Sequence, residues 1–92
     1  MKNFKIIETE GFVEDLSKDF GGQQKRIQRK LHEYVYPQLT RQPFFGKNIK
    51  KLKGHSPNTW RYRIGDYRFF YEIDDGQYLV IMIAADNRSE AY

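Results

Sequence analysis

The 92-residue sequence has no cysteine and only two histidines, His32 and His55. Disulfide bonds and thiolate metal ligands are therefore excluded, and two isolated histidines do not indicate a metal site. No apolar stretch approaches the ~18 residues that a bilayer-spanning helix needs, and the N-terminus lacks a signal-peptide pattern. We expect a cytoplasmic protein with no membrane contact, no metal and no small-molecule cofactor.

Apolar residues are plentiful enough to form one modest core. Hydrophobic residues make up 39% of the chain and aromatic residues 16%, which is typical of a folded protein rather than a disordered one. A length of 92 residues suits one domain and is too short for two. We therefore predict a single domain that spans residues 1–92.

The positive charge is concentrated in one part of the chain. The net charge is +4, but residues 41–68 hold eight basic side chains against a single acid, Asp66, a net of +7. The remaining residues must then carry −3. So dense a basic region favours binding to RNA, DNA or an acidic protein, although lysines on a small domain also serve solubility.

Hydrophobic periodicity and turn residues predict two helices and four strands. Gly21 and Gly22 separate the helices, and Asp75 with Gly76 makes the last hairpin turn. The last strand is apolar on both faces, so we expect an interior strand whose register the sequence does not reveal. The predicted strands span 3–9, 59–64, 67–73 and 78–85, and the predicted helices span 11–20 and 23–39. This β-α-α-β-β-β order predicts an α+β fold with two N-terminal helices packed on a small antiparallel sheet.

The second predicted helix has an apolar side and a basic side. Four apolar residues are expected to face the core, and Pro37 is expected to end or bend the helix early. The expected inward residues are Ile27, Leu31, Tyr34 and Val35. The basic residues are expected to form a solvated outer face rather than a binding surface; they are Lys25, Arg26, Arg29 and Lys30.

The segment between this helix and the hairpin strands has few apolar residues. Phe44 and Phe45 are expected to hold the loop against the body of the domain. Ile49 and Leu52 are the apolar residues of the "IKKLKG" segment that follows, which we do not assign to a strand.

The stretch "WRYRIGDYRFFYEIDDG", residues 60–76, alternates arginines with aromatic residues on both sides of a Gly-Asp turn. A two-residue turn makes Ile64 and Tyr67 neighbours, so that Arg63 faces Arg68 and Arg61 faces Phe70. Like charges directly opposite each other destabilise a strand pair. The arrangement therefore requires an explanation other than sheet stability.

Alternate residues of this hairpin are expected to lie on opposite faces of the sheet. The face expected under the helices is aromatic: Trp60, Tyr62, Ile64, Tyr67, Phe69, Tyr71 and Ile73. The other face holds Arg61, Arg63, Arg68, Phe70 and Glu72. Guanidinium groups bind phosphates bidentately, and Arg and Phe both stack on nucleobases, which favours an anion-binding face. The alternative is a Glu72–Arg61 salt bridge beside solvated arginines, which leaves the Arg63–Arg68 opposition unexplained.

Three segments together resemble the RelE/ParE toxin superfamily of toxin–antitoxin systems. They are "KKLKG", "WRYRIGDYRFFYEIDD" and the C-terminal "NRSEAY". The resemblance extends over nearly the whole chain in length and element order and implies a RelE-like fold. It further implies a toxin that is a metal-independent endoribonuclease, or mRNA interferase, and that cuts mRNA in the ribosomal A site, inhibiting translation and arresting growth. The implied partners are a cognate antitoxin protein, the ribosome and mRNA.

The resemblance also implies roles for individual residues. Arg61 and Arg63 match two basic residues before the hairpin turn, Arg68 matches a third after it, and Tyr92 matches a closing Tyr. These four are the expected catalytic residues. The expected RNA-binding residues are Lys50, Lys51, Lys53, Phe70 and Arg88.

One departure from the family pattern concerns the last strand. Nucleases of the family often carry Arg or His one or two positions before the residue matched by Arg88, whereas this chain has Asp86 and Asn87. A carboxylate near the scissile phosphate would repel it and weaken the stabilisation of the transition state.

Metal-free RNA cleavage makes limited demands on a protein. The 2′-OH of the substrate is the nucleophile, so the protein must orient the chain, stabilise charge on the phosphate and move protons. Each arginine that bonds the developing charge would contribute roughly 2–4 kcal/mol. Tyr92, with its pKa lowered by nearby Arg, is the expected proton-transfer group, although a terminal aromatic can also simply dock on the core. His55 is a second possible acid or base.

Two other functions remain open from the sequence. A ParE-like toxin would bind DNA gyrase without cutting RNA, and a decayed toxin would only bind its antitoxin. The three arginines favour the nuclease, whereas Asp86 and Asn87 favour the alternatives. Any antitoxin is expected to be acidic where it meets the +7 region.

Overall fold

A computed structural model describes residues 3–19, 21–54 and 58–87. Within them the α+β prediction is confirmed: helices pack on one face of a single sheet. The helical segments are α1 (Glu10–Asp19), a 3₁₀ turn (Gly21–Gln23), α2 (Gln24–Lys30), a π-helical turn (Leu31–Val35) and α3 (Tyr36–Arg41). The strands are β1 (Lys5–Glu8), β2 (Ile49–Leu52), β3 (Thr59–Ile64), β4 (Tyr67–Asp74) and β5 (Leu79–Asn87). Among the described residues, none forms a helix long and apolar enough to cross a membrane.

The sheet has five strands in the order β1-β5-β4-β3-β2. Three of its four strand pairs are antiparallel, but β1 runs parallel to β5, which the prediction of an antiparallel sheet did not include. The predicted element order also lacked β2, because its four residues, "IKKL", show no alternation between apolar and polar. The interior position predicted for the last strand is confirmed, since β5 lies between β1 and β4.

Thr9 joins the first strand to the first helix. Its hydroxyl accepts a hydrogen bond from the backbone N–H of Phe12 (3.3 Å), as an N-cap does, and donates to the carbonyl of Met82 (2.8 Å). Further along β5, the carboxylate of Asp15 accepts a hydrogen bond from the backbone N–H of Ala85 (3.0 Å). α1 is thereby fixed to β5, with Phe12 and Leu16 buried between them.

The second helical region runs from 24 to 41 without leaving a helical state, so of the two effects expected of Pro37, an end or a bend, the early end is wrong. Pro37 stands in the first turn of α3, directly after the π turn, so the hydrogen bond that its missing N–H cannot make falls at the junction of the two segments. The wide π turn before it also changes which residues face inward. Val35 and Tyr36 are buried, whereas Tyr34 is 58% exposed, contrary to its predicted core position.

The core is formed between the helices and the inner face of the sheet. Its fully buried members include Phe12, Ile27, Leu31, Val35, Leu39, Phe69, Tyr71, Val80 and Met82. The loop after α3 closes one end of this core, with Pro43 fully buried and its carbonyl accepting a hydrogen bond from the hydroxyl of Tyr71 (2.7 Å). Phe44 packs edge-on against Trp60, as predicted, but Phe45 is 75% exposed and does not hold the loop.

A β-bulge in β5 reverses the alternation of its side chains. Phe70 opposes Ala84 and Tyr71 opposes Met82, which leaves Ile83 as the extra residue. Before the bulge Val80 and Met82 are buried, and after it Ala85 is buried. Asp86 consequently faces away from the helices, on the same side of the sheet as the arginines.

Candidate functional site: the outer face of the sheet

The register predicted for the β3–β4 hairpin is confirmed. Arg63 is paired with Arg68, and Arg61 with Phe70. The inner face is also as predicted, since Trp60, Tyr62, Phe69 and Tyr71 are buried and Ile64, Tyr67 and Ile73 pack against them. We call the opposite side the arginine face and define it by Lys50, Arg61, Arg63, Arg68, Phe70, Glu72 and Asp86.

Asp86 binds Arg68 on this face. The two residues are directly opposite on β4 and β5. Nε of Arg68 donates to one carboxylate oxygen (3.1 Å) and Nη2 donates to the other (2.5 Å), which is the bidentate geometry of a strong ion pair. The guanidinium also lies 5.9 Å from the ring centroid of Phe70. Much of the charge of Arg68 is therefore neutralised within the protein, and the Arg63–Arg68 opposition is relieved by Asp86.

Glu72 does not make the salt bridge that would have neutralised Arg61. Within the described residues the ion pairs are Arg68–Asp86 and Lys18–Glu14. Nε of Arg61 is buried and lacks a hydrogen-bond partner among the same residues. A buried guanidinium N–H without an acceptor is costly, because it has lost water and gained nothing in its place. Arg61 is thus a cation on this face that no acidic side chain among the described residues neutralises.

A polar groove adjoins Arg61 at the β2–β3 edge of the sheet. It encloses about 380 Å³ and is lined by Lys47, Asn48, Arg61, Arg63 and Gly65. Asn48 orders this groove, since its carbonyl accepts from the backbone N–H of Arg63 (3.0 Å) and its side-chain amide donates to the carbonyl of Arg63 (2.6 Å). The lining that the structure describes therefore holds three cations and no carboxylate.

The predicted lysines are divided between the two faces of the sheet. Lys50 is paired with Arg61 and shares its face. Lys51 is paired with Trp60, and its Nζ lies 5.5 Å from the Trp60 ring centroid, on the side away from the arginines. Lys53 follows β2 in a turn. The structure therefore brings Lys50, but not Lys51, to the arginine face.

Three predicted site residues lie outside the described residues: His55, Arg88 and Tyr92. In addition, sequence reasoning missed Lys47 and Asn48 as lining residues and the pairing of Asp86 with Arg68. A strand assignment for β2 would have placed Asn48 opposite Arg63. The pairing of Asp86 could not be read without knowledge of the bulge at Ile83.

The arginine face can hold an anion through Arg61 and Arg63, which are two positions apart on β3 and on the same side of it. Guanidinium groups at such a spacing suit a phosphodiester, because each can bond two of its oxygens. Across the described residues, no group of three or more acidic or histidine side chains is placed to hold a metal ion.

Comparison with known proteins identifies the family. The family model described as the ParE toxin of type II toxin–antitoxin systems, parDE, matches residues 8–92. The chain belongs to the RelE/ParE toxin superfamily. A curated relative, Toxin RelG of Mycobacterium tuberculosis, is 31% identical over 67 residues, which are 73% of this chain and 75% of the relative.

Solved structures of this superfamily have the same fold. The toxin–antitoxin complex RelBE2 of Mycobacterium tuberculosis contains a chain with a TM-score of 0.75 and 28% identity, covering 94% of this chain and 99% of that one. The RelB–RelE antitoxin–toxin complex of Methanococcus jannaschii contains a chain with a TM-score of 0.62 and 28% identity, and the match covers 94% of both chains. A mutant of the toxin RelE of Escherichia coli, in the free state, has a TM-score of 0.63 and 22% identity, and the match covers 99% of this chain and 87% of that one. At this identity the similarity is one of fold. The RelE-like α+β fold expected from the sequence is therefore confirmed.

Proposed function

We propose that this member of the superfamily is a metal-independent endoribonuclease that cuts mRNA in the ribosomal A site. The observation that carries the proposal is the groove in which Arg61, Arg63 and Lys47 come together with no carboxylate in its described lining. A phosphodiester bound in this groove by the guanidinium of Arg61 would relieve its cross-strand repulsion with Lys50.

Arg61 and Arg63 are the phosphate-binding catalytic residues in this proposal. The substrate 2′-OH attacks the adjacent phosphorus, the 5′-oxygen leaves, and both guanidinium groups stabilise the charge that develops on the phosphoryl oxygens. Proton transfer is assigned to Tyr92, with His55 as the second candidate. Lys50, Lys53 and Arg88 bind the flanking backbone, Lys50 from the same face as Arg61.

Arg68 has a smaller part than Arg61 and Arg63, because Asp86 already occupies its bidentate edge. Together with Phe70, its guanidinium provides a flat surface against which a nucleobase can stack. Cleavage by this chain is therefore expected to be slower than it would be with three unpaired arginines.

The proposed partner in the cell is a cognate antitoxin. Two of the structural relatives were solved as complexes with a RelB antitoxin. An acidic segment of such a protein, folding as it binds, would cover the cations of the arginine face and block access of mRNA.

The test is induction of the chain in a bacterial host, followed by mapping of mRNA 5′ ends on translated messages. We expect cuts at a fixed position within codons. In the Arg61→Ala/Arg63→Ala variant they should fall by at least about 100-fold, the cost of losing one transition-state donor. The matched control is Lys25→Ala/Arg29→Ala, which removes the same charge from the exposed outer side of α2 and should leave cleavage unchanged.

A second function, inhibition of DNA gyrase without nuclease activity, is favoured by the Arg68–Asp86 pair, which weakens the basic constellation. The ParE description of the matching family model supports the same alternative. Growth arrest with intact mRNA, DNA breaks and an SOS response would establish it in place of RNA cleavage. Expression without any growth defect would instead indicate a decayed toxin that only binds its antitoxin.

A further inference from the structure

A second basic cleft lies on the helix side of the β3–β4 turn. It encloses about 500 Å³ between α2 and the hairpin. Its lining is mainly polar: Gln23, Arg26, Lys30, Ile64, Gly65, Asp66, Tyr67 and Asn87. The cleft is distinct from the arginine face, because Ile64 and Tyr67 belong to the inner face of the sheet.

Two cations of the cleft are available to a ligand. Arg26 and Lys30 are one helical turn apart, which places them on the same side of α2. Among the described residues, neither has an ion-pair partner. Gln23 is held at the mouth of the cleft, where its side-chain carbonyl accepts a hydrogen bond from the hydroxyl of Tyr67 (3.1 Å).

The cleft and the groove of the arginine face meet at Gly65. This residue lines both, at the tip of the hairpin, with φ of +60° and no described atom within 4 Å of where a side chain would begin. The space beside Gly65 is therefore open to an extended chain that crosses the turn. Arg63 lines the groove on one side of this turn and Arg26 lines the cleft on the other, with Asp66 in the turn itself.

We propose that the cleft of Arg26 and Lys30 is a second binding site for single-stranded RNA, which holds the backbone of the strand after it has crossed the turn at Gly65. The inference rests on the proposed function and extends it from one scissile phosphate to a longer stretch of substrate. Two cations at positions i and i+4 of a helix suit successive phosphates of a nucleic-acid backbone. In other proteins, single strands lie along positively charged grooves of this kind. Asp66 opposes this binding and sets its strength.

The experiment measures binding and not cleavage. The probe is an RNA of about eight nucleotides, within the range of single-strand site sizes, with 2′-O-methyl groups that prevent attack by the 2′ oxygen. Affinity is measured across a series of salt concentrations for the wild-type chain and for Arg26→Gln/Lys30→Gln. Loss of two phosphate contacts should lower the magnitude of the log–log salt slope by about 1.4.

Two variants distinguish a specific site from a general effect of charge. Lys25→Gln/Arg29→Gln removes the same charge from the same helix outside the cleft and should leave the slope unchanged. Asp66→Asn removes the opposing carboxylate and should strengthen binding several-fold.

The outcomes separate this inference from the proposed function. Equal salt slopes in Arg26→Gln/Lys30→Gln and wild type, with binding still lost in Arg61→Gln/Arg63→Gln, would overturn the second site alone. Absence of RNA binding in the wild-type chain would overturn both. If the cleft variant loses binding to a polyglutamate peptide but keeps RNA binding, the cleft belongs to an acidic protein and the inference is wrong.

Discussion

At the residue scale, the charge that Arg68 presents on the outer face of the sheet depends on one carboxylate. Asp86 is bound to Arg68 through both oxygens, and the two side chains are 39% and 28% exposed. Solvent at such exposures weakens an ion pair, so its contribution to folding is on the order of 1 kcal/mol. Its larger effect is on binding, because a phosphate that approaches Arg68 must displace Asp86 or be repelled by it.

Asp86→Asn should therefore strengthen the binding of RNA. The amide keeps the size of the side chain and one acceptor but removes the negative charge, which frees part of Arg68 for a phosphate. We expect affinity for a non-cleavable single-stranded RNA to rise roughly 3- to 10-fold at low salt, since charge-assisted bonds contribute about 1 kcal/mol more than neutral ones.

The control for this prediction is Asp75→Asn. It makes the same change of charge in the exposed turn at the far end of the β4–β5 hairpin. An equal gain in both variants would show that only net charge matters, and a loss of affinity in Asp86→Asn would show that Asp86 is needed to hold Arg68 in place for the substrate.

At the scale of elements, the junction between β1 and α1 depends on the hydroxyl of Thr9. This group satisfies the N–H of Phe12 in the first turn of the helix and also bonds the carbonyl of Met82 in the sheet. α1 covers β5, so its N-terminus and the sheet are stabilised by the same atom.

Thr9→Ala should lower the free energy of unfolding by about 1–2 kcal/mol, the usual cost of losing an N-cap. Thr9→Ser keeps the hydroxyl and should cost less than half as much. Urea denaturation monitored by circular dichroism measures both variants. Equal destabilisation by Ala and Ser would show that the methyl group of Thr9, and not its hydrogen bonds, is the stabilising part.

Elements with a clear period could be predicted from the sequence, and elements without one could not. The β3–β4 register followed from the alternation around Gly65 and Asp66, and it placed Arg63 opposite Arg68 correctly. β2 was missed because its two lysines are adjacent, and the inward position of Tyr34 was wrong because the π turn changed the helical phase. Which side chains of β5 face the arginines depends on a bulge, and no residue of "YLVIMIAA" indicates where that bulge lies.

At the scale of the whole molecule, the core contains tyrosines that resist ionisation. Burial raises the pKa of Tyr71, Tyr62 and Tyr36, and for Tyr36 the hydrogen bond to Glu8 and the charge of that carboxylate raise it further. These residues stay protonated in the folded state at pH values where the unfolded chain ionises them. Their contribution to stability is complete below pH ~10 and is lost as the pH rises above that value.

The free energy of unfolding should consequently fall less steeply with rising pH in Tyr36→Phe than in the wild type. Because its pKa is strongly raised, Tyr36 contributes a slope of about 1.4 kcal/mol per pH unit to the free energy of unfolding above pH ~10, and Phe removes this contribution. Denaturant unfolding at several pH values between about 9 and about 11.5 measures the slope. Identical slopes in the variant and the wild type would show that Tyr36 ionises with little hindrance in the folded state.

The bulge at Ile83 has a consequence for the comparison of relatives. Counting in twos from Val80 and Met82 places Asp86 among the inward residues, whereas its partner across the sheet is Arg68. An alignment that omits the one-residue gap before Asp86 would therefore set Ala85 of this chain against the residue that faces Arg68 in a relative without the bulge. Whether two toxins carry the same group at this position can be decided only after the extra residue has been located in three dimensions.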